Sequence, residues 1–231
     1  MQNIIEIDGK KYTQTIEPYV EPIKVEYPYP KMVVTDVGMK KMWSNPPKGL
    51  IVHYHSGHAD NRLNSPSVME YNAKRFYYHC LEEDGTLYSP KVLDNDGKKI
   101  TSFYTHGAHC GTKHHRDHIG LEIINSGKLR EEDGKYLTWF DKEIPGERVR
   151  LSHEKHNVKK GFYEMFTKEQ EKALIGLCLY LKEHYPNFSF DNVKGHDEVA
   201  PGYKQDPGGS LSLTMPEFRK LLKKIWKEQN G

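Results

Sequence analysis

The sequence of 231 residues predicts an α/β (α+β) fold, in which a central mixed β-sheet is flanked by helices. Two short apolar runs, GLIVHYH at 49–55 and HIGLEIIN at 118–125, are typical of buried strands. An Asp84-Gly85 pair between aromatic, strand-forming segments predicts a β-hairpin. Two amphipathic helices follow near the C-terminus. Strands and helices therefore alternate along the chain, as in a sheet covered by helices.

Composition and charge limit the class of protein. The chain is polar, with a mean hydropathy of −0.81, but it contains 15 Tyr, 8 Phe and 3 Trp. Disordered chains are poor in aromatic residues, so we expect a folded, water-soluble domain. The net charge of +2 and the pI of about 8.2 are too balanced for nucleic-acid binding, which needs a concentrated basic face. They are compatible with an anionic polymer as substrate.

The cysteines and the N-terminus indicate the cellular compartment in which the protein is synthesised. Cys80, Cys110 and Cys178 are odd in number and widely spaced, so no disulfide framework is predicted, although a Cys80–Cys110 bridge stays open. The N-terminal MQNIIEIDGKK lacks the pattern of a secretory signal. No apolar run approaches the ~18 residues of a membrane helix. We expect synthesis in the cytoplasm without a signal peptide, and favour a monomer.

The first 47 residues differ from the rest. The segment YVEPIKVEYPYPK spaces prolines among tyrosines and valines, which favours extended or polyproline-like backbone. We expect an extended arm over residues 1–47, which lies on the main domain or binds a partner, and a catalytic domain over residues 48–231.

The middle of the chain predicts several further elements. SPSVMEYNAKR at 65–75 predicts a short helix capped by a serine. The hairpin spans 76–90, and a second, weaker hairpin turns at DNDGKK, 94–99. Residues 126–161 are charged and irregular in pattern, which predicts a long surface loop.

Two helices are marked by their caps. Thr167 and Gln170 form a Thr-x-x-Gln capping box at the start of the clearest helix. Its apolar positions recur at helical spacing: Ala173, Leu174, Leu177, Cys178 and Leu181. A strand is predicted at 189–194. The last helix begins at Thr214, with Glu217 three residues on, and its basic face is expected to be solvated, with docking on an anionic wall as the minority interpretation.

Polar residues stand where three of the predicted strands end. His53 lies in IVHYHSG and Glu122 in IGLEIIN, while VKGHDEVAPGYKQDPGG contains His196, Lys204 and Asp206. Two histidines and a carboxylate are a common ligand set of catalytic zinc and leave a fourth position for water. A nearby carboxylate can move the water's proton, and a lysine can stabilise an oxyanion. Spacing alone leaves structural roles open for these histidines.

Four segments, in order along the chain, resemble the type 2 N-acetylmuramoyl-L-alanine amidases, the superfamily that includes peptidoglycan-recognition proteins and small phage amidase endolysins. IVHYHSG resembles the strand of the family's first ligand, and YYHCLEEDGTLYS resembles its "YHFLIDRDGTIY" hairpin. HIGLEIIN resembles "SIGIELVN", and GHDEVAPGYKQDPGG resembles "GHSDIAPGRKTDPGP". The resemblance runs from about residue 48 to 225. It implies a sheet flanked by helices, with zinc in a cleft at one end of the sheet.

The resemblance also implies roles for individual residues. The following would bind zinc (Zn2+): His53, His196 and Asp206. Glu122 would be the general base, and Lys204 would stabilise the oxyanion. Tyr78 stands where one branch of the family has a catalytic tyrosine, although a core aromatic is the alternative interpretation. His79 matches a family histidine that is usually structural.

The sequence departs from the family at its histidines. His55 replaces a small Thr or Ser, and His58 follows closely, so both are expected near the metal. The segment THGAHCGTKHHRDH, 105–118, holds five of the 13 histidines and stands where the family often has a "WHAG" turn, which His106-Gly107 would then mark. We expect a loop at the rim of the cleft that touches sugar or peptide and responds to pH near 6–7. A second, structural metal site stays open, built from His106, His109, Cys110 and His114.

The function implied by the resemblance is hydrolysis of the amide between N-acetylmuramic acid and L-alanine of peptidoglycan, by a phage or prophage endolysin that acts on the cell wall. A cytosolic amidase that recycles soluble anhydromuropeptides is one alternative. A non-catalytic muropeptide-binding protein is the other. The expected partner is peptidoglycan or a muropeptide, without nucleic acid or membrane insertion.

Overall fold

The computed structural model describes residues 2–7, 10–15, 27–38, 43–57, 79–93, 99–100, 103 and 105–231. The strands in these residues are β1 (Gln2–Ile7), β2 (Lys10–Thr15), β3 (Met32–Gly38), β4 (Trp43–Ser44), β5 (Gly49–Tyr54), β6 (His79–Leu81), β7 (Leu87–Leu93), β8 (Lys99–Ile100), β9 (Thr105–His106), β10 (His118–Ile123), β11 (Lys128–Glu132), β12 (Lys135–Leu137), β13 (Glu143–Ile144), β14 (Val149–Ser152), β15 (Gly161–Glu164) and β16 (Val193–Gly195). The α-helices are α1 (Lys168–His184), α2 (His196–Val199) and α3 (Met215–Asn230).

The central sheet is mixed, as the sequence predicts. Its strand order is β16–β5–β10–β6–β7–β3, with β8 paired to β7. Strands β16, β5, β10 and β6 run parallel to one another, whereas β7 runs antiparallel to β6. Strands β5 and β10 are buried over nearly their whole length. Burial on both faces explains why each is a continuous apolar run rather than an alternating one.

Most of the predicted elements are confirmed. Strands β5 and β10 occupy the two apolar runs, and β6 and β7 form the hairpin around Asp84-Gly85. The second hairpin is also present, because β8 pairs antiparallel with the end of β7. The strand predicted at 189–194 starts only at Val193, since Phe190–Asn192 form a 3₁₀ turn capped by the Ser189 side chain. The helix predicted at 65–75 lies outside the described residues.

The prediction of a long surface loop over 126–161 is wrong. This segment forms most of a second, five-stranded antiparallel sheet in the order β13–β12–β11–β15–β14. Asp133 and Gly134, at φ of 49° and 78°, form the turn between β11 and β12. The strands are short, and many of their positions are charged. No alternating pattern of apolar residues therefore stands out in the sequence. The Asp133-Gly134 pair is the same hairpin pattern as Asp84-Gly85.

Helix α1 packs its apolar face on the central sheet. Its capping box is formed: the Thr167 hydroxyl accepts from the Gln170 N–H at 3.0 Å, and the Gln170 side chain accepts from the Thr167 N–H at 2.9 Å. The predicted core positions are all buried: Ala173, Leu174, Leu177, Cys178 and Leu181. All three cysteines are buried free thiols, so no Cys80–Cys110 bridge forms. Among the described residues, no helix is long and apolar enough to cross a membrane.

Part of the N-terminal segment lies against the main domain. Strand β3 pairs in parallel with β7 and extends the central sheet. The Tyr29 hydroxyl donates to the Glu183 carboxylate, and its ring meets that of Tyr180 edge-on, with centroids 5.1 Å apart. Gly176 of α1 faces the Pro28 carbonyl so closely that a Cβ at this position would collide with it. The boundary at residue 47 stays a prediction.

Replacing Gly176 with alanine tests this contact. Alanine favours a helix over glycine by about 1 kcal/mol, so G176A would stabilise an isolated helix. Here the added methyl group meets the backbone of Pro28, and we expect a net loss of about 1–3 kcal/mol in the free energy of unfolding, measured by urea denaturation. The exposed Lys172→Ala on the same helix should change stability by less than about 0.5 kcal/mol. A stabilised G176A protein would show that residues 27–31 do not lie on α1.

Candidate metal centre

His53 and Glu122 lie side by side at the carboxyl ends of adjacent strands. They are directly paired in the parallel register of β5 and β10. Side chains at paired positions of neighbouring strands point to the same face of a sheet, so His53 and Glu122 project from the same face. His53 is 3% exposed and Glu122 is 7% exposed. The buried strands therefore hold both groups with little freedom.

The other two candidate ligands come from the turn-rich loop after β16. Gly195 ends β16 opposite Val52, and His196 opens the short helix α2 immediately afterwards. The loop then returns, and the Asp197 N–H donates to the Asp206 carbonyl at 2.8 Å. Gly195 is required here because a Cβ would collide with the Asp197 carboxylate and come close to the Pro207 ring.

An ion pair fastens this loop to the last helix. The Arg219 guanidinium donates to both carboxylate oxygens of Glu198, at 2.7 and 2.9 Å, and to the Val193 carbonyl at 3.0 Å. Glu198 in turn accepts from the Gly195 N–H at 3.2 Å. A bidentate, partly buried pair of this kind restricts geometry strongly. It holds the backbone on both sides of His196.

The three ligand atoms predicted from sequence converge. His53 Nδ1 lies 2.9 Å from His196 Nδ1, and both nitrogens lie 2.9 Å from Asp206 Oδ2. In tetrahedral zinc sites with bonds of 2.0–2.2 Å, ligand atoms stand about 3.3 Å apart. Within the described residues, this is the group of His, Cys, Asp and Glu side chains that could hold a metal ion. The residues therefore fit zinc in kind, number and approximate spacing.

The charge states of this group suit a cation. Burial opposes ionisation of Asp206, but hydrogen bonds and charge from His196 and His53 outweigh it and hold the carboxyl pKa well below its usual range. Burial lowers the pKa of His53, against the opposing effect of Asp206. A neutral imidazole and an ionised carboxylate are the forms that bind metals.

Glu122 has a partner that the family pattern does not predict. His55 Nδ1 lies 3.1 Å from Glu122 Oε1, and both side chains are almost fully buried. His55 is two residues after His53 and so projects on the same side of the strand path. It therefore contacts the candidate base and is not part of the three-residue ligand group. His58 and Tyr78 lie outside the described residues.

Lys204 lies on the wall of a groove beside the metal centre. The groove has a volume of about 610 Å³, and Asp206 reaches into it. Its rim carries two exposed aromatic side chains, Trp139 and Tyr203. The Lys204 ammonium sits 5.0 Å from the centre of the Tyr203 ring, and the Trp139 indole N–H donates to the Ser56 carbonyl at 2.5 Å. Sequence reasoning missed Trp139, because it placed that segment in a loop.

His79 has the structural role that the sequence indicates. It is fully buried, its Nδ1 lies 2.9 Å from the Ser89 hydroxyl, and its ring stacks on Phe103 with centroids 4.8 Å apart. Burial, with a smaller contribution from His106, lowers its pKa to about 3. The residue is therefore neutral and belongs to the core.

Both ends of the histidine-rich segment 105–118 are buried, whereas Gly111, Lys113 and Arg116 between them are exposed. His106 Nε2 donates to the Asn45 carbonyl at 2.9 Å, and His109 contacts both His53 and the His118 carbonyl. Burial and the neighbouring His53 lower the pKa of His109 well below its ordinary value. Cys110 contacts Thr112. The second metal site considered from the sequence is not among the ligand groups of the described residues.

A fold and a buried His/His/Asp group of this kind define a candidate metallohydrolase. The family model described as N-acetylmuramoyl-L-alanine amidase (Amidase_2) matches residues 43–209. The chain therefore belongs to the N-acetylmuramoyl-L-alanine amidase family. Membership supports an amidase activity on peptidoglycan.

Comparisons with other proteins add similar structures at low identity. A search of the curated proteins found no match. The endolysin amidase LysCS from Clostridium intestinale URNW is 18% identical, with 84% of this chain and 97% of that chain covered and a TM-score of 0.48. An AmpD derivative is 16% identical, with 84% and 94% covered and a TM-score of 0.46. Drosophila peptidoglycan-recognition protein SA is 12% identical, with 79% and 88% covered and a TM-score of 0.46.

Proposed function

We propose that this protein is a zinc-dependent N-acetylmuramoyl-L-alanine amidase that hydrolyses the amide between N-acetylmuramic acid and L-alanine of peptidoglycan. The observation that carries the proposal is the convergence of His53 Nδ1, His196 Nδ1 and Asp206 Oδ2, each 2.9 Å from the other two. Zinc bound there would lower the pKa of water and polarise a carbonyl group. The proposed catalytic domain is 48–231, and residues 1–47 form its N-terminal arm.

The side chains around the centre have distinct proposed roles. Glu122, next to His53 in register, takes the proton of the attacking water and passes it to the leaving nitrogen of L-alanine. Lys204, on the groove wall, stabilises the oxyanion. Tyr78 is a further candidate catalytic residue, on its position in the family's hairpin motif. The buried surroundings of His53 and Glu122 strengthen these electrostatic effects.

Separating metal binding from proton transfer tests these roles. We expect the wild-type protein to carry about one zinc ion and to release L-alanine amino termini from peptidoglycan. His196→Ala should lose the metal, because one of three protein ligands is gone. Glu122→Gln should keep the metal but lower kcat by about 10²–10⁴-fold, because only the proton acceptor is removed. Metal analysis and amino-terminus release measure the two effects.

An exposed carboxylate remote from the centre is the control for this experiment. Glu154→Gln removes a surface charge that pairs with Lys159, so zinc content and kcat should stay as in the wild type. A Glu122→Gln protein with wild-type turnover would show that another group moves the proton. A wild-type protein without zinc and without turnover would favour the non-catalytic muropeptide-binding alternative.

The groove beside the centre suits an acidic muropeptide. Trp139 and Tyr203 offer exposed rings for the apolar faces of sugar or peptide groups, and Lys128 offers a cation for the carboxylates of the stem peptide. Arg130 also lines the groove, but it is paired with Glu132 and Asp141. Lys128 is therefore the groove cation that we assign to the stem-peptide carboxylates, while Lys204 keeps its role at the oxyanion.

Substitutions on the groove wall should change substrate binding rather than chemistry. We expect Trp139→Ala and Lys128→Ala each to raise KM roughly tenfold, about 1.4 kcal/mol, with kcat nearly unchanged. Lys135→Ala is the matched control, because Lys135 pairs with Glu143 and does not line the groove. Steady-state kinetics on a defined soluble muropeptide measure the effect. A fall in kcat at constant KM would assign these residues to the transition state instead.

The biological setting that we propose is a phage or prophage endolysin acting on the cell wall. The open groove, with its exposed aromatic rim, can accept a peptide that is still attached to a glycan strand. We expect turnover on intact sacculi at least comparable with that on soluble anhydromuropeptides. Strong preference for the soluble fragments would favour the recycling amidase. Mass spectrometry of the products from both substrates measures the ratio.

A further inference from the structure

His109 lies behind the candidate ligand His53, on the side away from Asp206. It is 5% exposed, and its ring meets that of His53 at 90° with centroids 5.5 Å apart. His109 Nδ1 lies 3.2 Å from His53 Nε2. Its other nitrogen, Nε2, lies 3.0 Å from the backbone carbonyl oxygen of His118. Both ring nitrogens of His109 are thus engaged in hydrogen bonds.

The backbone carbonyl determines where the protons are. A carbonyl oxygen can only accept, so His109 Nε2 carries a hydrogen and donates it to His118. In the neutral ring, Nδ1 is then unprotonated and accepts. The His53 nitrogen that faces it, Nε2, must therefore be the donor.

This assignment leaves His53 Nδ1 without a proton. Nδ1 is the atom that lies 2.9 Å from both His196 Nδ1 and Asp206 Oδ2, so it is the nitrogen that faces the metal centre. A metal-binding histidine whose other N–H is held by a defined acceptor has a fixed tautomer and ring orientation. The carbonyl of His118, at the start of β10, thus acts on the metal centre through two hydrogen bonds in series.

We propose that His109 is a positioning residue, which holds His53 in the tautomer that presents an unprotonated Nδ1 to the metal. The inference rests on the proposed zinc site. It assigns a function to the histidine-rich segment 105–118. This function differs from the two roles considered from the sequence, a loop at the rim of the cleft and a second metal site. The two hydrogen bonds that link the His118 carbonyl, His109 and His53 join residues that are all buried.

Two substitutions at His109 separate the hydrogen bond from the space that the ring fills. His109→Leu removes the acceptor at similar volume, so the dissociation constant for zinc, measured by chelator competition, should rise about 10–100-fold. His109→Asn places an amide oxygen near the position of Nδ1, so it should recover most of the affinity. His114→Leu is the matched control, because His114 in the same segment contacts Thr112 and the ring of His118 but neither the His118 carbonyl nor His53.

Nuclear magnetic resonance of the zinc-loaded protein tests the proton assignment without any activity measurement. In the ¹⁵N-labelled wild type we expect a scalar coupling across the hydrogen bond from His53 Nε2–H to His109 Nδ1, and its loss in His109→Leu. A proton found on His109 Nδ1 would overturn the proposal, even if His109→Leu fails to fold. Unchanged zinc affinity in a folded His109→Leu would also overturn it. If the wild type binds no zinc, the proposed function itself fails.

Discussion

The parallel pairing of β5 with β10 on one side and β16 on the other is the constraint on which the site depends. The register of β5 with β10 sets His53 directly beside Glu122. The register of β5 with β16 sets Gly195 beside Val52, so that the chain enters α2 at the level of His53. A shift of one residue in either pairing would turn these side chains to the opposite face of the sheet. Burial of both faces of β5 and β10 makes such a shift unfavourable.

Around this frame, three parts of the centre are held by a further contact. His53 is backed by His109, Glu122 by His55, and the backbone at His196 by the Glu198–Arg219 pair. Buried charges and imidazoles are stable only when their hydrogen-bonding groups are satisfied. These contacts also orient the groups for the proposed metal binding and proton transfer. Stability and the proposed function thus depend on the same contacts.

The second sheet supplies the substrate side of the proposed site. Lys128 stands at the start of β11, and Trp139 lies in the turn between β12 and β13, so both groove residues are positioned by the antiparallel sheet. The sequence did not predict this sheet, because its strands are only two to five residues long and contain few apolar positions among charged ones. Such strands are stabilised by cross-strand pairs and turns rather than by an apolar run. Periodicity in a single short segment is too weak to identify them.

The sequence by itself determined the elements with strong local patterns: the buried strands, the Asp84-Gly85 hairpin and the capped helices. It also determined the candidate ligand set of His53, His196 and Asp206, because short ordered motifs specify residue types at those positions. Only the tertiary structure decided that their donor atoms meet at 2.9 Å, that His55 contacts Glu122, and that His109 accepts from His53. These contacts join segments up to about 150 residues apart, and their geometry follows from strand register and burial. No local pattern encodes which of the five histidines in 105–118 contacts His53, because that contact depends on the carbonyl groups and rings that surround each histidine in the folded protein.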